Sequence, residues 1–119
     1  MPVRRLKTYS AASGYVYQYY FVGSRALPAH DPDAPATAFV FDVTADRKHT
    51  FEITVIVPQT ALERWQSIHT RPLDANEQYA AAKLRLFAGF DETDHLITAP
   101  RRFMLAPETI DPLLEPLDL

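Results

Sequence analysis

An α+β fold is expected: an antiparallel sheet of four to five strands built from two successive hairpins, then two helices packed on one face, then an acidic tail rich in Pro and Leu. Three observations predict it. Apolar residues alternate with period two through residues 15–24 and 39–57. The period then changes to helical spacing behind two helix-start signals, at Thr60 and Asp74. After Pro107 the chain carries acids and leucines but no base. A single domain over 1–105 followed by a tail over 106–119 is the corresponding organisation. At 119 residues one core buries roughly two-thirds of the unfolded surface.

The elements follow in order. Residues 4–10 read as a short strand, and Ala11 to Gly14 as a turn of small residues. In residues 15–24, Tyr15, Tyr17, Tyr19 and Phe21 alternate with Val16, Gln18, Tyr20 and Val22. Successive strand residues point to opposite faces, and Gln18 marks its own set as outward. Residues 26–36 carry three prolines and two aspartates, which predicts an unpaired surface loop.

The central hairpin runs from Phe39 to Val57 around Asp46, Arg47 and Lys48. Phe39, Phe41 and Val43 form one set, and Phe51, Ile53, Val55 and Val57 meet it on the same face. Pairing Phe41 with Phe51 sets Asp42 against Thr50. Pairing Phe41 with Ile53 opposes Asp42 to Glu52, a like-charge pair, so the first register is expected. Its turn is a short one of three residues without Gly, which forces some residue into a strained conformation.

Thr60 to Glu63 fits a capping box, with Leu62, Trp65 and Ile68 as the buried stripe to about residue 69. Asp74 to Glu77 supplies a second box. Ala75, Tyr79, Ala82, Leu86 and Phe90 line the next helix, widened by Ala80, Leu84 and Phe87, with Lys83 and Arg85 outside. Gly89 weakens its end, and Asp91 and Glu92 place acid where the helix dipole disfavours it. One more short strand is expected around 101–105. Pro112 and Pro116 limit the tail to about a turn of helix.

Composition narrows the function. A net charge of −3 speaks against DNA or anionic lipid as the main partner. The absence of Cys removes thiol nucleophiles, thiolate metal sites and disulfides. No apolar run approaches the roughly 20 residues that span a bilayer, so no membrane is expected, and the cytoplasm is the default compartment. No metal-ligand spacing links His30, His49, His69 and His95. His30 with Asp31 and Asp33 reads as solvated loop, His49 with Asp46 as a turn, and no cofactor is expected. Three glycines leave no phosphate-cradling loop.

What remains is a surface. With the Tyr17 and Phe41 sets in the core, the second sheet face still holds Val16, Tyr20, Val22, Val40 and Ile56. An apolar face of that size needs a cover: either the tail, through Leu113, Leu114 and Leu117, or a second subunit. The first functional expectation is therefore a non-enzymatic binding module or a homodimer. The runner-up is a small-molecule binder or hydrolase between sheet and helices, using Tyr hydroxyls, Asp42, Glu52 or His49. The third is a single-strand nucleic-acid binder, with tyrosines to stack bases and Arg4, Arg5 and Lys7 to meet phosphates.

Overall fold

A computed structural model of the chain describes residues 6–29, 35–92 and 101–119. Five strands form one mixed, mostly antiparallel sheet: β1 (Lys7–Ser10), β2 (Val16–Leu27), β3 (Ala36–Thr44), β4 (Phe51–Pro58) and β5 (Arg102–Met104), adjacent in that order. Helices α1 (Gln59–His69) and α2 (Ala75–Glu92) follow β4. Helix α3 (Pro107–Leu114), longer than the turn expected of the tail, follows β5. The first three junctions are antiparallel, and β5 joins β4 in parallel.

The alternation read from sequence sets the core. Tyr17, Tyr19, Phe39, Phe41, Val43, Phe51, Ile53 and Val55 are buried against Trp65, Leu86 and Phe90 from the helices. Phe21, Leu62, Tyr79 and Phe87 pack around them, half-buried. Aromatic rings tie sheet to helix: Tyr17 stacks on Phe90 at 4.3 Å and Tyr9 on Phe87 at 4.2 Å between centroids.

Two strand expectations need correction. Residues 26–36 are not wholly loop, because Ala26 and Leu27 pair with Thr37 and Ala36. A bulge at Val22, between the Phe21–Phe41 and Gly23–Val40 pairs, lets β2 continue that far. The hairpin also takes the other register: Phe41 faces Ile53, and Asp42 faces Glu52. Two local structures outweigh the like-charge pair. The Tyr20 hydroxyl donates to Asp42 Oδ2 at 2.7 Å, so that carboxylate has a partner. The turn spans residues 45–50 and is built on Asp46, whose Oδ1 accepts from the Lys48 and His49 backbone N–H groups at 2.8 Å each. His49 Nδ1 lies 2.6 Å from its other oxygen. These hydrogen bonds, the His49 ring first, hold the Asp46 carboxyl well below its ordinary range. Arg47 takes the strained left-handed position, φ 65°.

The helix starts differ from each other. At Asp74 the expected box forms: Glu77 N–H donates to Asp74 Oδ1 at 2.8 Å, and Asp74 N–H to Glu77 Oε1 at 3.0 Å. At Thr60 no box forms. The chain passes from β4 straight into α1 with Pro58 as the cap residue, so Thr60 is already helical. The buried stripe of α1 is accordingly Ala61 and Trp65, with His69 half-buried, while Ile68 is exposed. Glu77 also receives both ends of the Arg71 guanidinium, at 2.9 and 3.0 Å. That contact first, and the Asp74 N–H second, bring Glu77 down to about 2. A carboxylate depressed on folding stabilises above about pH 4.5, and that contribution drains away as pH falls toward 2. The urea midpoint is expected to drop more between those two pH values in the wild type than in Glu77→Gln.

Helix α2 carries two further corrections. Gly89 does not merely weaken the helix. A Cβ built there would stand 2.3 Å from Phe103 Cε2, so glycine is what admits the β5 ring. Gly89→Ala is expected to destabilise by about 1–2 kcal/mol, overpacking outweighing the gain in helix propensity. Combining it with Phe103→Leu should recover much of that loss in chemical denaturation. Arg85 is not outside either. Its Nε donates to the Met104 carbonyl at 3.0 Å, its guanidinium lies 5.0 Å from the Phe103 ring centroid, and its buried Nη1 has no partner. Arg101 O and Leu105 N are the groups that bond β4, so the intervening Met104 carbonyl points to the sheet's outer edge. Asp91, unfavourable for the helix dipole, is held by the Tyr9 hydroxyl from β1 and by the Ala12 N–H from the turn after it. Burial first, and Asp91 second, raise the Tyr9 phenol above its ordinary range.

Candidate functional site

All three helices lie on one side of the sheet. The other side, the outer face, is read row by row from the strand register. Its rows are Ser10–Val16, then Thr8–Gln18–Thr44, Tyr20–Asp42–Glu52, Val40–Thr54–Arg102, and Arg25–Ala38–Ile56–Met104. Val16 is 52% exposed, Val22 38% and Met104 56%, and Leu6, just before β1, is 53% exposed. Glu52, Arg25 and Arg102 are exposed charges. A recess of about 240 Å³ opens near the β3–β4 turn, lined by Gln18, Tyr20, Asp42, Thr44, Arg47 and Thr50 among others. The face is therefore mixed in polarity, in the manner of non-obligate protein interfaces.

The structure redistributes the expected interface residues. Val16 and Val22 stand open on this face, while Tyr20 and Val40 are half-buried on it. Ile56 does not contribute: it is 3% exposed, and Ala38 beside it is fully buried. The tail leucines are elsewhere. Helix α3 packs against α1, placing Ile110 and Leu114 in the same core as Trp65, with Leu113 packed beside them. Leu114 is 2% exposed and Leu117 39%. The tail therefore covers the helix layer, and the second sheet face loses one of its two expected covers. The reason is the tail's own pattern. Ile110 and Leu114 are four residues apart and share one helix face, which the prolines do not prevent from forming.

Packing of α3 leaves a second concavity, a cleft of about 200 Å³ lined by Trp65, His69, Asp111, Leu114, Glu115 and Asp118 together with Leu119. His69 Nε2 is 2.5 Å from Asp111 Oδ1, and its ring stacks on Trp65 at 4.2 Å. The Arg71 guanidinium lies 4.9 Å from the same indole. A His–Asp pair of this kind can orient an imidazole for proton transfer. Among the described residues none of the lining side chains is a hydroxyl, thiol or amine that such a base would activate. The pair instead latches α3 to the end of α1.

The other expected chemistry does not converge. Asp42 and Glu52 sit on the outer face, His49 is in the turn, and core side chains fill the space between sheet and helices. Tyr17 and Tyr19, 1% and 3% exposed, cannot stack bases. Lys7 is exposed, whereas Arg4, Arg5, His30, Asp31, Asp33 and His95 lie outside the described residues. Among the described residues no cluster of three His, Cys, Asp or Glu is arranged around a metal, and no helix is long and apolar enough to cross a membrane. No family model, curated protein or solved structure matches this chain.

Proposed function

We propose that the protein is a non-enzymatic protein-binding module whose working surface is the outer face of its sheet. One observation supports this reading above the others: among the described residues three helices layer one side of the sheet and none layers the other. The open part of that side presents Val16, Val22 and Met104 beside the exposed charges Glu52, Arg25 and Arg102, a composition suited to a reversible partner. The enzyme reading has less support, because the His69–Asp111 cleft lacks a group for the imidazole to activate.

The test compares the wild type with a Val22→Glu/Met104→Glu double variant, both checked for native circular dichroism. Chemical cross-linking of cells that express each form should give a partner adduct, with a second copy or with another protein, that the double variant loses. Identical adducts from both forms, or none from either, would remove the reading.

A further inference from the structure

On the helix side of the sheet two amines meet with no acid between them. Lys7 lies on the edge strand β1 in register with Tyr19, a core residue, so its side chain is on the side the helices cover. Lys83 comes from α2, and the two side-chain nitrogens are in hydrogen-bonding contact. Lys83 is half-buried, its Nζ 5.9 Å from the Tyr79 ring centroid and 6.0 Å from that of Phe87, the ring on which Tyr9 of β1 stacks. Neither amine has a carboxylate partner among the described residues. Asp91, near the end of α2, is already engaged by Tyr9 and Ala12. The remaining titratable groups around the pair are phenols: Tyr9, Tyr79 and Tyr19, the last pushed up to about 12 by burial and then by Tyr79.

Two ammonium groups in contact repel each other, and partial burial penalises the charge further. Burial first, and the Lys7 amine second, hold the Lys83 ammonium below the ordinary lysine range. The Tyr79 and Phe87 rings lie at the limit of cation–π attraction and do not reverse this. An amine that sheds its proton early beside a second cation is a nucleophile toward carbonyl carbon. We infer that Lys83 is an imine-forming amine for a small aldehyde that carries an anionic group, with the Lys7 ammonium holding the anion. In the step, the neutral Nζ of Lys83 adds to the aldehyde carbon and a C–N bond forms. The C–O bond then breaks, and the oxygen leaves as water with the two amine hydrogens, so nothing is oxidised or reduced. Lys7 is exposed at the sheet border, which gives a small molecule access from solvent. With two amines and no carboxylate at the spot, a phosphate or carboxylate on the aldehyde meets an uncompensated cation. The site lies on the opposite side of the sheet from the binding surface and does not depend on that reading.

The probe is pyridoxal 5′-phosphate, an aldehyde with a phosphate, added below stoichiometry to the full chain at neutral pH. Borohydride traps the imine, and peptide mass spectrometry locates it. The chain's other two lysines are Lys7 itself and Lys48, exposed in the β3–β4 turn, so Lys48 serves as the internal reference. Lys83 is expected to label several-fold faster than Lys48, with a pH profile that rises earlier. Pyridoxal, which lacks the phosphate, should lose part of that preference. Lys7→Met should bring Lys83 down to the Lys48 rate, whereas Lys7→Arg, which keeps the cation, should retain most of the advantage. Equal labelling of Lys83 and Lys48 in the wild type overturns the inference. So does a Lys83 rate that a natively folded Lys7→Met leaves unchanged. A preference equally strong for pyridoxal overturns the anionic class of aldehyde.

Discussion

Replacing Trp65 by alanine is expected to cost about 3–5 kcal/mol of stability. Trp65 is 1% exposed and touches three structures at once. It projects from α1 into the core, stacks on His69, and lies under the Arg71 guanidinium. Alanine leaves a cavity walled by the rigid sheet on one side and by Leu114 on the other, so collapse recovers little. Arg71 also anchors Glu77 at the start of α2, so the damage extends to the second helix's cap. Urea denaturation read by far-UV circular dichroism measures the loss. A change below about 1 kcal/mol would contradict the burial of the indole.

The second large effect is at Leu114. Leu114→Ala is expected to destabilise by about 2–5 kcal/mol, as buried leucines do. Leu117→Ala, three residues on but 39% exposed, should stay within about 0.5 kcal/mol. The contrast tests whether the C-terminal segment belongs to the core, since a loosely attached tail would make the two substitutions equally harmless. Thermal or urea unfolding of both variants decides it. A two-state transition for Leu114→Ala with an unchanged m-value would show that α3 unfolds together with the sheet.

The strand layer was legible because its signal is local. Tyr17, Tyr19, Phe41 and Ile53 declare their face by alternation alone, and all four are buried. The Asp74–Glu77 cap was legible for the same reason, since its two groups act across one turn. What escaped the sequence depends on company. The Phe41–Ile53 register follows from Tyr20, a residue on another strand, which satisfies Asp42. Gly89 reads as a weak helix position until the Phe103 ring is placed against it. Thr60 looks like a cap only if a loop precedes α1, and Pro58 leaves none.

The tail shows the limit of a local rule. Pro112 removes one N–H from α3, but that bond would have been made to the carbonyl of Glu108, an exposed residue in the helix's first turn where water can substitute. Pro107 begins the helix with its φ already set. Of the two prolines that read as breakers, Pro112 therefore lies inside a helix that the Ile110 and Leu114 pair makes worth forming, and Pro116 lies just beyond its end. For the candidate site, two of the residues expected from the sequence, Val16 and Val22, stand open on the outer face. The charges were not legible, because Arg25 reaches that face only through the Val22 bulge and Arg102 only through the parallel pairing of β5.

The Arg85 side chain, bonded to the outward carbonyl of β5, has a bearing on how copies of this chain can join. A free strand border invites another chain to extend the ladder without limit, and growth of that kind ends in fibres. Here the last rung is taken by a guanidinium from the molecule's own helix, and a newcomer must first evict a cation stacked on Phe103. Lateral growth of the sheet is therefore opposed at that border.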